Sequence, residues 1–239
     1  MILGIRNIQG TTVFVCLVMA LVALDLVLAD ASRRGKVKVE LYYMPQCPGC
    51  RQLITTSFSE AFETPGFSDM ADVTFVPWGR AFQNIEPIGS HEQQQPQEQE
   101  QRVFDNVLES CALHTIGRKH QDLQFSYIEC IDRTNTFEKD PSKVDRSCAK
   151  VVGLSTRQTR DIEACAVSRE GHDLAEKNLR QSELVEMEYA PWIIVDRQHT
   201  HAIEDSVWES LFHHVCGIYS GPHKSVACPE TGIDEDKDL

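Results

Sequence analysis

Val37-Lys38-Val39-Glu40-Leu41-Tyr42-Tyr43-Met44-Pro45-Gln46-Cys47-Pro48-Gly49-Cys50 is the stretch whose reading decides the fold. Its first half is rich in β-branched and aromatic residues and puts Val37, Val39, Leu41 and Tyr43 on one face, so it reads as a strand as far as the first proline. Downstream, Ile54, Phe58 and Phe62 recur at four-residue intervals with Leu53 beside them, which is a helix stripe. The two thiols therefore stand between a strand and a helix, at the helix N-terminus. Unpaired N–H groups and the macrodipole favour negative charge there, so Cys47 is expected to ionise below the ordinary thiol value of about 8.5. In such motifs the first cysteine is exposed and attacks, and the second lies one turn inside and resolves the mixed disulfide. Two cysteines also suit a structural disulfide or half of a zinc site. Zinc usually takes a second ligand pair at short spacing, and the chain has no other Cys-x-x-Cys.

Working outward, Thr64-Pro65-Gly66 breaks the helix pattern, and Ala71-Asp72-Val73-Thr74-Phe75-Val76 reads as a second strand ending at Pro77-Trp78-Gly79. A β-α-β unit wrapped around Cys-x-x-Cys fits a thioredoxin-like core. His91 to Gln101 is almost entirely Gln and Glu, which gives a solvated loop or a frayed helix start. Phe104, Val107, Leu108 and Cys111 mark a helix that Gly117 ends. Val144, Cys148, Val151 and Val152 mark another between Pro141 and Gly153, and Ser155 or Thr156 caps a third carrying Ile162, Cys165 and Ala166. Residues from about 103 to 188 thus form a mainly helical insertion. The core resumes at Tyr189-Ala190-Pro191-Trp192-Ile193-Ile194-Val195-Asp196, a short strand opened by proline. By fold analogy Pro191 is a cis-proline facing the dithiol; without the analogy it simply opens an edge strand. His199 to Ile203 is expected to form the last strand, followed by a helix burying Val207, Leu211, Phe212, Val215 and Ile218. The fold class is α/β, with a thioredoxin-like core (β-α-β … β-β-α) and a disulfide-stapled helical insertion, spanning 32–228.

The chain has 239 residues, 41% of them apolar, which is enough for a packed core. A net charge of −13 argues against nucleic acid and anionic membrane as partners. Arg6, an apolar run from Thr12 to Ala29, and Ala29-Asp30-Ala31 read as a cleaved secretory signal over 1–31; the other reading is an uncleaved anchor, which Asp25 argues against. Cleavage removes Cys16 and the anchor together, and leaves eight cysteines. Six lie outside the motif: Cys111, Cys130, Cys148, Cys165, Cys216 and Cys228. An even count in a secreted chain suggests disulfides, with Cys216 and Cys228 the easiest pair because a Gly221-Pro222 turn returns the chain. Residues 229–239 read as an acidic, disordered tail.

In order along the chain, these pieces resemble one family. A Leu-Tyr-Tyr strand enters Cys-Pro-x-Cys with Arg51 after it, then come Ile54-Thr55-Thr56 and Val76-Pro77-Trp78-Gly79-x-Ala81. Asn106 stands ahead of Cys111-Ala112; Cys148-Ala149, Cys165-Ala166 and Glu170-Gly171 follow. Pro191-Trp192 and the run Val215-Cys216-x-x-Tyr219-x-Gly221 ahead of Cys228 close the set. The family is that of the gamma-interferon-inducible lysosomal thiol reductases. The resemblance implies a thioredoxin-like fold and reduction of protein disulfides at acidic pH, with Cys47 as nucleophile, Cys50 as resolving cysteine and Pro191 as the cis-proline. Where the family carries Cys-Gln-His-Gly and then Glu-Cys, this chain has Ser90-His91 leading into the Gln-rich segment, and Arg102-Val103, so two family cysteines are missing together. The chain has no Asn-x-Ser/Thr sequon, so sugar-dependent delivery to lysosomes is not implied, and secretion and a lysosomal destination both stay open.

The chemistry expected is thiol–disulfide exchange with disulfide-containing proteins, regenerated by a small-thiol or protein reductant, with neither cofactor nor metal. Three other readings stand beside it. The same dithiol serves an oxidase or isomerase, since direction follows reduction potential. A secreted binding module would hold Cys47–Cys50 as an inert disulfide. A metal protein would use the thiols with His199 and His201, a His-x-His pair placed on one strand face. Arg51 is the cation next to the motif, and either acts on it or is a solvated first-turn residue.

Overall fold

The computed structural model describes residues 35–78, 96–134 and 141–229. The proposed signal segment, His91 to Gln95 and the tail beyond Pro229 lie outside the described residues. Strand β1 (Val37–Tyr43) is the middle one of three. It pairs in parallel with β2 (Ala71–Pro77), from Val37↔Ala71 to Tyr43↔Pro77. On its other side it runs antiparallel to β3 (Trp192–Val195), from Val39↔Val195 to Tyr42↔Trp192. Parallel pairing demands a crossover. Helix α1 (Pro48–Leu53), a π-helical turn (Ile54–Phe58), α2 (Ser59–Glu63) and α3 (Phe67–Met70) supply it.

Leu53, Ile54, Phe58, Phe67 and Met70 of that crossover are fully buried against Val39 and Leu41 of the sheet. Phe62 stacks face to face on Phe125 with ring centroids 4.2 Å apart, which fastens the crossover to the helical cover. That cover consists of α4 (Pro96–Ile116), a 3-10 turn (Arg118–His120), α5 (Gln121–Thr134), α6 (Pro141–Val151), α7 (Thr156–Ala166) and α8 (Arg169–Leu184). Ser155 caps α7 in a reciprocal box with Gln158, satisfying N–H groups that would otherwise lack partners. The cover has its own apolar cluster, including Val107, Leu108, Tyr127, Ile131 and Ile162. Leu113, Phe125 and Ile128 belong instead to the core under the sheet, so α4 and α5 serve both.

Disulfide Cys111–Cys165 joins α4 to α7, and Cys130–Cys148 joins α5 to α6. Cys216–Cys228 ties the end of α9 (His201–Ile218) to the segment after it.

Three sequence expectations need correction. His199 to Ile203 is not a strand: the chain turns at Asp196 and Arg197 in the left-handed region, Gln198 makes one isolated bridge to Val195, and α9 begins at His201. Thr200 decides this locally, because its hydroxyl accepts the Ile203 N–H at 3.2 Å and caps the helix. The core is therefore β-α-β followed by β-α among the described residues. Val151 is 74% exposed at the end of α6, where the turn through Gly153 hands its inward place to Leu154. Ile218, placed in the buried stripe of α9, is 46% exposed at its last position.

A candidate dithiol active site

The end of β1 leads into a tight turn in which the Cys47 N–H reaches the Met44 carbonyl at 3.1 Å. Gln46 takes the left-handed region there, and its side-chain amide donates to the Asp105 carboxylate on α4. Cys47 is the N-cap of α1, with extended dihedrals, and its Sγ accepts the Cys50 N–H at 3.5 Å. Pro48 opens the helix, where its missing N–H costs nothing. Cys47 is partly exposed, whereas Cys50 is 1% exposed and receives the Met44 N–H at 3.4 Å. The Cys50 thiol is pushed far above its ordinary range, first by its hydrogen bond to Cys47, then by burial and by the Cys47 charge. One sulfur is thus presented to solvent at a helix N-terminus, and its neighbour is held back as a protonated thiol.

On the far side of Cys47, its thiol lies 3.8 Å from the Ala190 carbonyl. The Ala190–Pro191 bond is cis, and Pro191 packs close enough that a Cβ added to Gly49 would lie 3.5 Å from its Cδ. The proline loop is braced from behind. Tyr189 donates its hydroxyl to Glu204 at 2.6 Å and meets Trp192 edge-on at 4.9 Å, and Trp192 stacks on His199 at 3.5 Å. His199 Nδ1 also lies 2.9 Å from the Ile193 carbonyl and 3.7 Å from Glu204, while His201 is 88% exposed. The two histidines therefore do not share a strand face, and neither is brought to the thiols. Among the described residues no group of three or more His, Cys, Asp or Glu is arranged to hold a metal ion.

Beneath the dithiol lies a set of acids that the sequence reading missed. Tyr43 donates to Glu109 at 2.6 Å, both buried, and Asp105 and Asp132 are buried beside them. Burial raises the Glu109 carboxyl well above its usual range, with the Asp132 charge adding to it. Burial also pushes Asp132 up to about 7, against the pull of the Arg51 cation and with the Cys47 charge adding to the rise. Arg51 therefore faces the acid under the motif and is more than a solvated first-turn residue. One signal was available: Asp105 and Glu109 are four residues apart and share a helix face. Nothing in the sequence says that this face is buried.

A family model described as gamma interferon inducible lysosomal thiol reductase matches residues 38–152. Over those residues the chain is similar to this family. It is 29% identical over 194 residues to the gamma-interferon-inducible lysosomal thiol reductase of Carassius auratus, covering 80% of this chain and 72% of that protein. It is 28% identical over 198 residues to a gamma-interferon-responsive lysosomal thiol protein of Arabidopsis thaliana, covering 80% of this chain and 74% of that one. Among solved structures, MdbA, a thiol-disulfide oxidoreductase from Actinomyces oris, superposes with a TM-score of 0.55 at 9% identity, over 80% of this chain and 84% of that one. At that identity the likeness concerns the fold, which is thioredoxin-like. The likeness to thiol reductases supports an oxidoreductase acting on disulfides.

Proposed function

We propose that this thiol reductase reduces disulfides of protein substrates through Cys47 and Cys50, in an acidic endo-lysosomal or extracellular setting. The observation that carries the reading is the asymmetry of the pair: a partly exposed Cys47 at the helix cap beside a buried Cys50. The Cys47 thiolate attacks one sulfur of the substrate, forming a mixed disulfide and releasing the other as a thiolate. Cys50 then attacks Cys47, frees the second substrate sulfur and leaves Cys47–Cys50 oxidised. A thiol reductant, small or protein-borne, returns the pair to its starting state. Pro191 and the Ala190 carbonyl form the wall against which the substrate segment lies.

Two features support the setting. Three disulfides suit an oxidising or secretory route, and two of the relatives carry lysosomal names. Glu109, Asp132 and Asp145 are buried carboxyls whose pKa values are raised by burial, so mildly acidic solution lets the fold keep them uncharged. The test is insulin-disulfide reduction at about pH 5 and about pH 7, the span between an acidic compartment and neutral solution, with wild type, Cys47→Ser and Cys50→Ser. Wild-type turnover lost in both variants, with substrate trapped on Cys50→Ser alone, is the expected result. Equal background activity in all three refutes the reading.

A further inference from the structure

The cis-proline loop meets Cys47 through the Ala190 carbonyl, so whatever fixes Tyr189 and Trp192 on either side of Ala190–Pro191 fixes that wall. The His199 ring stacks on Trp192 with the planes 18° apart and the centroids 3.5 Å apart. His199 Nδ1 faces the Ile193 carbonyl at 2.9 Å, and a carbonyl only accepts. That nitrogen therefore carries a hydrogen, and a further proton enters at Nε2. Glu204 closes the set from the first turn of α9. Its Oε2 takes the Tyr189 hydroxyl, while its buried Oε1 has no hydrogen-bond partner among the described residues and lies 3.7 Å from His199 Nδ1. A buried acceptor without a donor thus stands beside a ring one proton short of a cation. We propose that His199 and Glu204 are positioning residues for disulfide exchange, holding the cis-proline loop against Cys47 more firmly as the solution turns mildly acidic.

Protonation puts a cation on the face of the Trp192 indole and gives Oε1 the charged partner it lacks, in a site with little water to screen the pair. Tyr189 and Trp192, the two flanks of Ala190–Pro191, are then held by one ion pair, which acts as a latch. The pair needs a charged imidazole and a charged carboxylate, so it forms below the usual histidine range and above the usual carboxylate range. The other ionisable groups near it are few. His201 lies 3.8 Å from Oε2 on the exposed side, and the charges of Glu188 and Asp205 reach Tyr189. Glu186 stands earlier on the same loop, and Arg197 stands in the turn before His199. Asp196, in that turn, is engaged by the Lys38 N–H at 2.9 Å. Of the elements packed on α9, β3 and the π-helical turn carry no ionisable side chain. Helices α2 and α3 bring Glu60, Glu63 and Asp69, but α3 meets the far end of α9, where Met70 touches Cys228.

The latch rests on the dithiol reading for its place in turnover, but it can be read without any substrate. The chain has three tryptophans, and a Trp78→Phe/Trp208→Phe background leaves Trp192 as the only one. A stacked imidazolium quenches indole emission, so Trp192 should dim as pH falls from about 8 to about 5, the span in which histidine takes its charge. His199→Phe keeps a ring on Trp192 and should abolish the transition. Glu204→Gln still accepts from Tyr189 but withdraws the anion, and should move the midpoint to lower pH. His201→Gln should leave the transition in place. On insulin, His199→Phe should lose about tenfold in kcat/KM at about pH 5, mostly through KM, which is the worth of one hydrogen bond to a charged group. At about pH 7, where histidine is mostly neutral, the loss should be much smaller. A transition that survives His199→Phe overturns the proposal, as does a loss on insulin that is equal at both pH values. An unmoved midpoint in Glu204→Gln overturns it too, and decides the matter even if His199→Phe fails to fold. The expected emission shifts without insulin turnover by the wild type refute the proposed function alone; turnover with no acid transition refutes the latch alone.

Discussion

Cutting the Cys111–Cys165 disulfide should cost more stability than cutting Cys216–Cys228. A cross-link acts chiefly on the unfolded chain, whose loop-closure entropy grows with the logarithm of the loop it closes. The two bridges close loops of 54 and 12 residues. Loop closure then gives roughly 4 kcal/mol for the first and roughly 3 kcal/mol for the second. The first also leaves a larger packing defect, because Cys111 is fully buried in the cluster of the helical cover, whereas Cys228 is only partly buried. In a chain of this size each kcal/mol moves Tm by about 2–4 °C. Cys111→Ala/Cys165→Ala should therefore melt roughly 8–16 °C below its parent, and Cys216→Ala/Cys228→Ala roughly 6–12 °C below. Calorimetry on both, in a Cys47→Ala/Cys50→Ala background that prevents reshuffling, measures the difference. A Cys216/Cys228 variant that loses as much as or more than the Cys111/Cys165 variant would show that loop closure does not set the scale here.

Gly171→Ala offers a sharper test of packing in the helical cover. The added Cβ would run into the Cys165 carbonyl oxygen and sit 2.8 Å from Val107 Cγ1, so overpacking of about 1–3 kcal/mol should outweigh the gain of up to about 1 kcal/mol in helix propensity. A urea midpoint equal to or above wild type contradicts this. The buried carboxyls make a pH prediction. Asp145 is raised to about 6 by burial, so between its unfolded and folded pKa values the folded state holds a proton that the unfolded state has lost. Its contribution is therefore best at low pH and is lost as pH rises through about 4 to 6. Against Asp145→Asn, wild type should lose up to roughly 3 kcal/mol of relative stability across that window, read from urea unfolding at successive pH values. Parallel profiles for the two proteins would rule it out.

What was legible from the sequence was whatever depends on neighbours along the chain. The period of two in β1, the stripe through Ile54 and Phe58, the break at Thr64-Pro65-Gly66 and the Ser155 cap are local signals, and the structure contains each. Cys216 with Cys228 was the one pairing the sequence suggested, because Cys216 ends an apolar helix face and the Gly221-Pro222 turn brings the chain back to it. The π-helical turn over Ile54–Phe58 was not legible. Thr55 and Thr56 turn their hydroxyls back to the carbonyls of Arg51 and Gln52, and the next turn widens without any change in the apolar spacing. His199 to Ile203 is too short for periodicity to separate a strand from a helix start. Asp132 and Glu109 were missed for a different reason. Acidic residues on amphipathic helices ordinarily face water, and only the stacking of α4 and α5 over the dithiol turns these two inward.

The burial of the cross-links has a consequence for a chain that carries its own disulfide-cleaving group. Exchange needs a thiolate to approach a disulfide sulfur, so a bond shut away from solvent is shielded however reactive the reagent. Cys111 and Cys148 are fully buried, and Cys165 and Cys216 nearly so, leaving Cys130 and Cys228 as the partly exposed ends of two bridges. The Cys111–Cys165 staple can therefore stay closed at a high local concentration of thiol, the molecule's own included, while the other two bridges each offer one sulfur to attack. What looks like ordinary core packing is also a form of immunity, by which a reagent is kept from consuming the vessel that holds it.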